Sequence, residues 1–292
     1  MDKSYQNALT LMRIPFSVYL MPVFWFALSV VSGYDVWRAV VVFIILHLLV
    51  YPASNGYNST QDKDEGSIGG LKKPPKVTRE LTHLVWLFDV LAVVAGFILS
   101  TLFAGLVALY MLISKAYSYE GIRIKKYPIL STVIVTIFQG AYTFLLVQVG
   151  LNYTLQELLQ LPNSGFALVS TLFLCGSYPL TQIYQHTEDS RRGDKTLSLL
   201  LGINGTFMFA AFSLLLGAAV LVYLYFSLNQ WLNIFLFLIC TGPVLYFFTN
   251  WVLRAQRDPK EVNFENTMQM NKISSLCMSA AFISMIVAKS FF

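Results

Sequence analysis

The chain has 292 residues, of which 56% are hydrophobic, 15% aromatic and only 12% charged, with a formal net charge of +5. A soluble domain carries roughly 25% charged residues and has no use for so much apolar surface. Composition therefore excludes an ordinary soluble enzyme, and no nucleic-acid partner is expected; what remains is an all-α integral membrane protein.

The apolar residues come in long blocks divided by short charged segments, and about 20 largely apolar residues suffice to cross a bilayer. The first block begins near Ile14, after a short amphipathic opening that carries Lys3 and Arg13. No clear small-residue cleavage site follows it, so it reads as a retained helix rather than a signal peptide. Nine spans are predicted in all, near 14–32, 37–54, 81–99, 101–118, 128–150, 165–185, 199–226, 231–250 and 272–290. Spans three and four meet through a tight turn around Ser100. Asp89 lies mid-span in "HLVWLFDVLAVV". A charge at that depth is costly, and two readings stand for it: a structural partner on another helix, or a catalytic role. Cys175, Cys240 and Cys277 all fall in apolar segments without CxxC or Cys/His spacing, so neither disulfides nor zinc are expected.

Alternation of nine spans, with the N-terminus in the cytoplasm, puts about eighteen of the 20 Lys and Arg on the cytoplasmic side and only Arg38 and Lys289 opposite. This positive-inside asymmetry predicts an N-in, C-out multi-pass topology. The chain reads as one domain over 1–292, with polar site loops at about 54–80 and 182–197.

The first polar segment, "YPASNGYNSTQDKDEGSIGGLKKPP", occupies residues 51–75. Asn55, Asn58 and Asp62 are three and four residues apart, which places them on one face of a continued helix. Such oxygen donors suit Mg²⁺, a hard cation often shared with substrate phosphates. The glycines after them lead to Lys72 and Lys73, which suit an anion. The second segment, "YPLTQIYQHTEDSRRGDKTLSLLLG" at 178–202, repeats the pattern in Gln182, Gln185 and Asp189, followed by Arg191, Arg192 and Lys195. Both segments start with Tyr-Pro. Either alone reads as a solvated loop; two with matched spacing on one side of the membrane predict a paired site that bridges a pyrophosphate through Mg²⁺. A third stretch, "KAYSYEGIRIKKYP", brings Tyr117, Tyr119, Arg123, Lys125 and Lys126. It reads equally as interfacial anchoring or as part of that site. His186 stands beside the second segment, as a base, a phosphate contact or neither.

These three segments resemble those of the UbiA superfamily of intramembrane prenyltransferases, and the likeness runs along essentially the whole chain. The family motif NDxxDxxxD corresponds to residues 54–62, ending at Asp62. The family's DxxxD corresponds to Gln185-His186-Thr187-Glu188-Asp189, followed by Gly193-Asp194-Lys195-Thr196-Leu197. "YSYEGIRIKKYP" is similar to the family's segment after helix four, and "RIPFSVYLMP" to its helix-one opening. The last acid of each motif is kept, whereas Asn55, Asn58 and Gln185 stand where acids are common.

The resemblance implies a fold of nine transmembrane helices around a central cavity. It implies Mg²⁺-dependent transfer of an isoprenyl group from a prenyl pyrophosphate to a small lipophilic or aromatic acceptor. Asp62 and Asp189 would be catalytic, with Asn55, Asn58, Asp62, Gln185 and Asp189 as metal ligands. Lys73, Tyr117, Arg123, Lys125, Lys126, Arg192 and Lys195 would bind pyrophosphate. A terpene cyclase or pyrophosphate lyase, and a non-enzymatic lipid-binding or transport protein, are the alternatives on the same fold. In a bacterium the inner membrane would be the location. Neither acceptor, prenyl length nor oligomeric state follows from the sequence.

Overall fold

A computed structural model describes residues 2–291, 82% of them helical, and among these nine helices are long and apolar enough to cross a membrane. We label them α1 (Lys3–Val30), α2 (Val36–Asp62), α3 (Arg79–Leu99), α4 (Thr101–Ser118), α5 (Pro128–Gly150), α6 (Asn163–Gln182), α7 (Leu197–Ser227), α8 (Trp231–Arg257) and α9 (Phe264–Lys289). This is the nine-span, all-helical membrane architecture expected from the hydropathy pattern. Two ends differ. The amphipathic opening is itself helical over Lys3–Met12, and α2 runs on to Asp62, so residues 54–62 are helix rather than loop.

That extension is a tertiary effect. Asn, Ser, Thr and Gly are poor helix formers, but Gly56 lets the turn press against its neighbours: a Cβ there would lie 2.6 Å from the Met12 sulfur and 2.8 Å from Val85. Arg13, buried and in a left-handed conformation (φ 50°), donates to the Asn55 carbonyl at 3.2 Å and to the Gly69 carbonyl at 3.0 Å. One turn earlier the Pro52 ring has no N–H to offer the helix, and the preceding Ile44–Val50 stretch widens into a π-helix.

The chain divides into two compact units, Met1–Val18 with 32–126 and 146–153, and Tyr19–Val31 with 127–145 and Thr154–Phe292. In the first unit α3 packs against α4, against Tyr51–Asp62 of α2 and against Lys3–Met12. Every face of α3 is apolar by sequence, yet the structure sorts it. Leu81, Val85, Asp89, Ala92, Gly96 and Leu99, spaced by threes and fours, are buried, and Trp86, Val90, Val94 and Phe97 are exposed, as a helix needs when one stripe meets protein and the other lipid. Asp89 is thus inward, and Lys115 of α4 meets it at 2.5 Å, with the ammonium also over the Tyr57 ring (5.3 Å) and the Trp86 ring (5.6 Å). The interhelical-partner reading of Asp89 is the one the structure realises. At the α3–α4 turn, Ser100 caps α4 by accepting from Phe103 N (3.0 Å). A Cβ on Gly96 would lie 2.9 Å from the Ala104 backbone, so the turn is as tight as the single residue between the helices demands.

In the second unit α6 packs along α7 and against the first half of α5, and α9 packs against α8 and against Met21–Val30. Phe26 stacks on Phe282 with centroids 4.5 Å apart and meets Phe144 and Phe166 edge-on or tilted. Trp251 is fully buried beside Phe207 and donates to the Glu261 carbonyl at 2.9 Å.

Arg38 and Lys289, the two cations that alternation leaves apart from the rest, both cap helix ends. Arg38 donates to the Gly150 carbonyl (2.8 Å) at the end of α5 and to the Leu99 carbonyl (3.2 Å) at the end of α3. Lys289 donates to the carbonyls of Ser29 and Val31. Positive charge at a helix C-terminus, where carbonyls lack N–H partners, is favourable.

Candidate active site

The first polar segment is built on the last turns of α2. Asn55, Asn58 and Asp62 continue one helical face, and each is tied to a neighbouring element. Asn55 is held through its backbone by Arg13. Asn58 donates from Nδ2 to the Ser118 hydroxyl at 2.7 Å. Asp62, whose side chain is 4% exposed, accepts from Lys125 and is 3.5 Å from Arg123 Nη1, both at Oδ1. The segment after α4 is shaped for this. Arg123 adopts φ 46°, its N–H and that of Ile122 both bond the Tyr119 carbonyl (2.6 and 3.0 Å), and Ile124–Lys126 closes as a 3₁₀ turn. A non-glycine residue in that region is uncommon and is held there only by its surroundings. The structure therefore brings together Asn58, Asp62, Arg123 and Lys125. Tyr117 lies half-buried near the end of α4, whereas Lys126 and Lys73 are exposed.

The second segment departs from the expected geometry. Pro179 removes an N–H within α6, which ends at Gln182; Ile183 and Tyr184 form a turn, and Gln185 precedes a separate helix, His186–Arg192. Gln182, Gln185 and Asp189 therefore do not line one continuous helix, and the matched-spacing argument holds for the first segment only. The Asp189 N–H bonds the Gln185 carbonyl at 2.9 Å, and Asp189 Oδ2 accepts from Thr196 Oγ1 at 3.3 Å. Gly193, at φ 73°, reverses the chain so that Asp194 N can bond the Asp189 carbonyl at 3.0 Å. Arg192 pairs with Glu188 at 3.0 Å, and Lys195 is exposed.

Several side chains that hold these groups are not among the residues singled out by sequence as ligands. Thr196 both steadies Asp189 and caps α7 by accepting from Leu199 N (3.3 Å); a Thr just before an apolar run is a readable helix-start signal. Ser118 carries no such signal, because its partner Asn58 is 60 residues away. His186 Nε2 lies 2.8 Å from Ser198 Oγ, which lies 3.1 Å from Thr206 Oγ1. Thr206 in turn donates to the Gly202 carbonyl (2.7 Å), where α7 is broken by φ 67°, ψ 179°.

Burial lowers the pKa of His186 below its ordinary 6.5, so imidazole is neutral at pH 7. A lowered folded-state pKa means the unfolded chain binds the proton first. The stability this group contributes is complete above about pH 6.5 and is lost as pH falls through the folded value. The melting temperature of the wild type should fall on going from pH 7.5 to 5.5, and a His186→Gln variant should fall less; equal slopes would remove His186 as a contributor.

Whether these residues suit a divalent cation depends on the segment. No group of three or more His, Cys, Asp or Glu that could hold a metal forms among the described residues, so amide oxygens would have to contribute. In the second segment they can. Gln182 is 6% exposed, and its Oε1 has no hydrogen-bond partner. An orphaned buried oxygen is costly unless a donor or cation meets it, and a hard cation accepts amide and carboxylate oxygens. Gln182 entered the sequence pattern but was not counted as a ligand. In the first segment the motif carboxylate, Asp62, is already shared by two cations.

A model of the UbiA prenyltransferase family matches residues 19–273. No curated protein sequence matches the chain. Solved structures similar to it include a digeranylgeranylglyceryl phosphate synthase, at 17% identity over 100% of both chains with a TM-score of 0.62. A UbiA homologue from Archaeoglobus fulgidus bound to DMAPP and Mg²⁺ is 14% identical, over 96% of this chain and 99% of that one, with a TM-score of 0.66. The same homologue bound to GPP and Mg²⁺ is 17% identical over the same shares, with a TM-score of 0.62. Identities this low speak for the fold alone, but the family model covers most of the chain. With nine helices among the described residues long and apolar enough to cross a membrane, the chain is a multi-pass membrane protein that belongs to the UbiA prenyltransferase family.

Proposed function

We propose that the protein transfers an isoprenyl group from a prenyl pyrophosphate to an acceptor within the membrane, with Mg²⁺ as cofactor. The observation that supports this best is that a member of this family keeps the last acid of each motif, Asp62 and Asp189, with Lys125 and Arg123 on Asp62 and with Arg192 on Glu188 next to Asp189. The bond between prenyl C1 and the pyrophosphate oxygen breaks, and the electron pair leaves with the pyrophosphate. The acceptor bonds C1 and gives up a proton. Arg123 and Lys125 bind the leaving charge, Arg192 and Lys195 bind phosphate oxygens near the second segment, and Asp189, Gln185 and Gln182 are the residues that would hold Mg²⁺. When bound, Mg²⁺ neutralises negative charge on the departing group. The family relatives bound to DMAPP or GPP together with Mg²⁺ favour such a donor. The Lys and Arg distribution favours placing the polar segments on the cytoplasmic side. A lipophilic or aromatic acceptor fits a reaction carried out among apolar helices.

The test is pyrophosphate release by the full chain in detergent or nanodiscs, supplied with geranyl, farnesyl and geranylgeranyl pyrophosphates, with and without Mg²⁺. Mg²⁺-dependent release with a coupled organic product supports transfer. Release that yields a cyclised hydrocarbon without any acceptor points instead to a cyclase. Neither binding nor release with any donor would leave a lipid-binding protein on a prenyltransferase fold.

A further inference from the structure

The two polar segments correspond to the family's two acidic motifs but present different chemistry. Around Asp62 one carboxylate faces two cations, Lys125 and Arg123, with Lys126 exposed beside them. The carboxylate is also the most buried of the three: its side chain is 4% exposed, that of Lys125 10% and that of Arg123 19%. What this cluster offers a ligand is therefore ammonium and guanidinium rather than carboxylate. Asn55 and Asn58 carry neutral amides, and Asn58 donates from Nδ2 to Ser118, so neither replaces the negative charge absent from positions 55 and 58. A divalent cation placed at Asp62 Oδ1 would meet two positive charges there. An anion would meet the reverse, since guanidinium and ammonium groups on phosphate oxygens form strong charge-assisted hydrogen bonds.

We propose, building on the prenyl-transfer reading, that the first segment is a metal-free anion site. In it Asp62 is a positioning residue that orients Lys125 and Arg123 toward pyrophosphate, and the protein ligands of the divalent cation lie in the second segment. The left-handed Arg123 and the double use of the Tyr119 carbonyl show a turn built to hold these two side chains at Asp62. The second segment has the complementary endowment, with the Asp189 carboxylate and the orphaned Gln182 oxygen. The protein thus uses one cation site where two matching acidic motifs would make two.

The experiment uses the purified full chain in detergent and two probes, inorganic pyrophosphate in EDTA by calorimetry and Mn²⁺ alone by electron paramagnetic resonance. Wild type should bind pyrophosphate without metal and take up one Mn²⁺. Asp62→Asn and Lys125→Gln should each weaken metal-free pyrophosphate binding by about tenfold, the scale of one lost charge-assisted contact, and keep the Mn²⁺. Asp62→Glu should recover part of that loss, which a change that merely unfolds the turn would not allow. Asp189→Ala should lose the Mn²⁺. Two Mn²⁺ in the wild type, or loss of Mn²⁺ with Asp62→Asn, would overturn the inference and leave prenyl transfer standing. So would Mn²⁺ uptake with no binding of pyrophosphate in EDTA. If the folded wild type bound neither probe, the prenyl-transfer reading would fall with it.

Discussion

Asp189→Ala should lower Mg²⁺-dependent pyrophosphate release from geranyl pyrophosphate by at least about 100-fold, while the melting temperature stays close to that of the wild type. The size follows from what the group faces. Prenyl transfer develops negative charge on the leaving pyrophosphate, and losing a ligand of the cation that would neutralise it should cost roughly the 10²–10³ in rate seen on removing one preorganised electrostatic partner. Asp189 is the last acid of the second motif, and its neighbour Glu188 is engaged by Arg192 at 3.0 Å. Its backbone bonds to Gln185 and from Asp194 do not depend on the side chain, and alanine favours the short helix it lies in. The loss should therefore appear in turnover rather than in folding. A Thr196→Val variant, which frees the same carboxylate from its hydroxyl partner, should show a smaller effect in the same direction. Full activity in Asp189→Ala would remove this residue from the chemistry.

The second large effect lies within the membrane. Asp89→Ala should destabilise the protein by about 3–5 kcal/mol, the usual cost of removing one partner from a buried ion pair. The side chains of Asp89 and Lys115 are 6% and 16% exposed and meet at 2.5 Å. Removing the carboxylate leaves the ammonium between helices with only the Tyr57 and Trp86 faces for company, and each such cation–π contact is worth roughly 0.5–2 kcal/mol. An Asp89→Leu, Lys115→Leu double variant should recover more than half of the loss, because apolar pairs often replace buried ion pairs at little net cost. Melting temperatures of Asp89→Leu, Lys115→Leu and the double variant, read as a cycle, isolate the coupling. Additive effects would mean that the pair contributes nothing of its own.

Much of the architecture was legible in the chain. Blocks of about 20 apolar residues announce bilayer spans because the backbone in lipid must satisfy its own hydrogen bonds, which favours helices. The Tyr-Pro openings and the acids at Asp62 and Asp189 marked the segments that carry the family likeness. The second segment shares the spacing of the first but not its geometry. Spacing alone puts Gln182, Gln185 and Asp189 on one face, but Pro179 lies within α6 and the helix ends at Gln182, where Asn55, Asn58 and Asp62 continue theirs. The difference lies in what surrounds each stretch. Met12, Val85 and Arg13 hold the last turns of α2 in helix, whereas after Gln182 the chain turns into a separate short helix.

The sequence by itself determined the membrane class, the number of spans, the family and the positions of the two polar segments, because these depend on local composition and on motifs contiguous in the chain. Tertiary structure alone decided which polar groups meet. Asp89 finds Lys115, Asn58 finds Ser118, Asp62 finds Lys125 and Arg123, and Arg38 finds the ends of α3 and α5. Each of these depends on the rotation of one helix about its axis relative to another. In a membrane protein that rotation is hidden from hydropathy, since the face that meets lipid is as apolar as the face that meets protein.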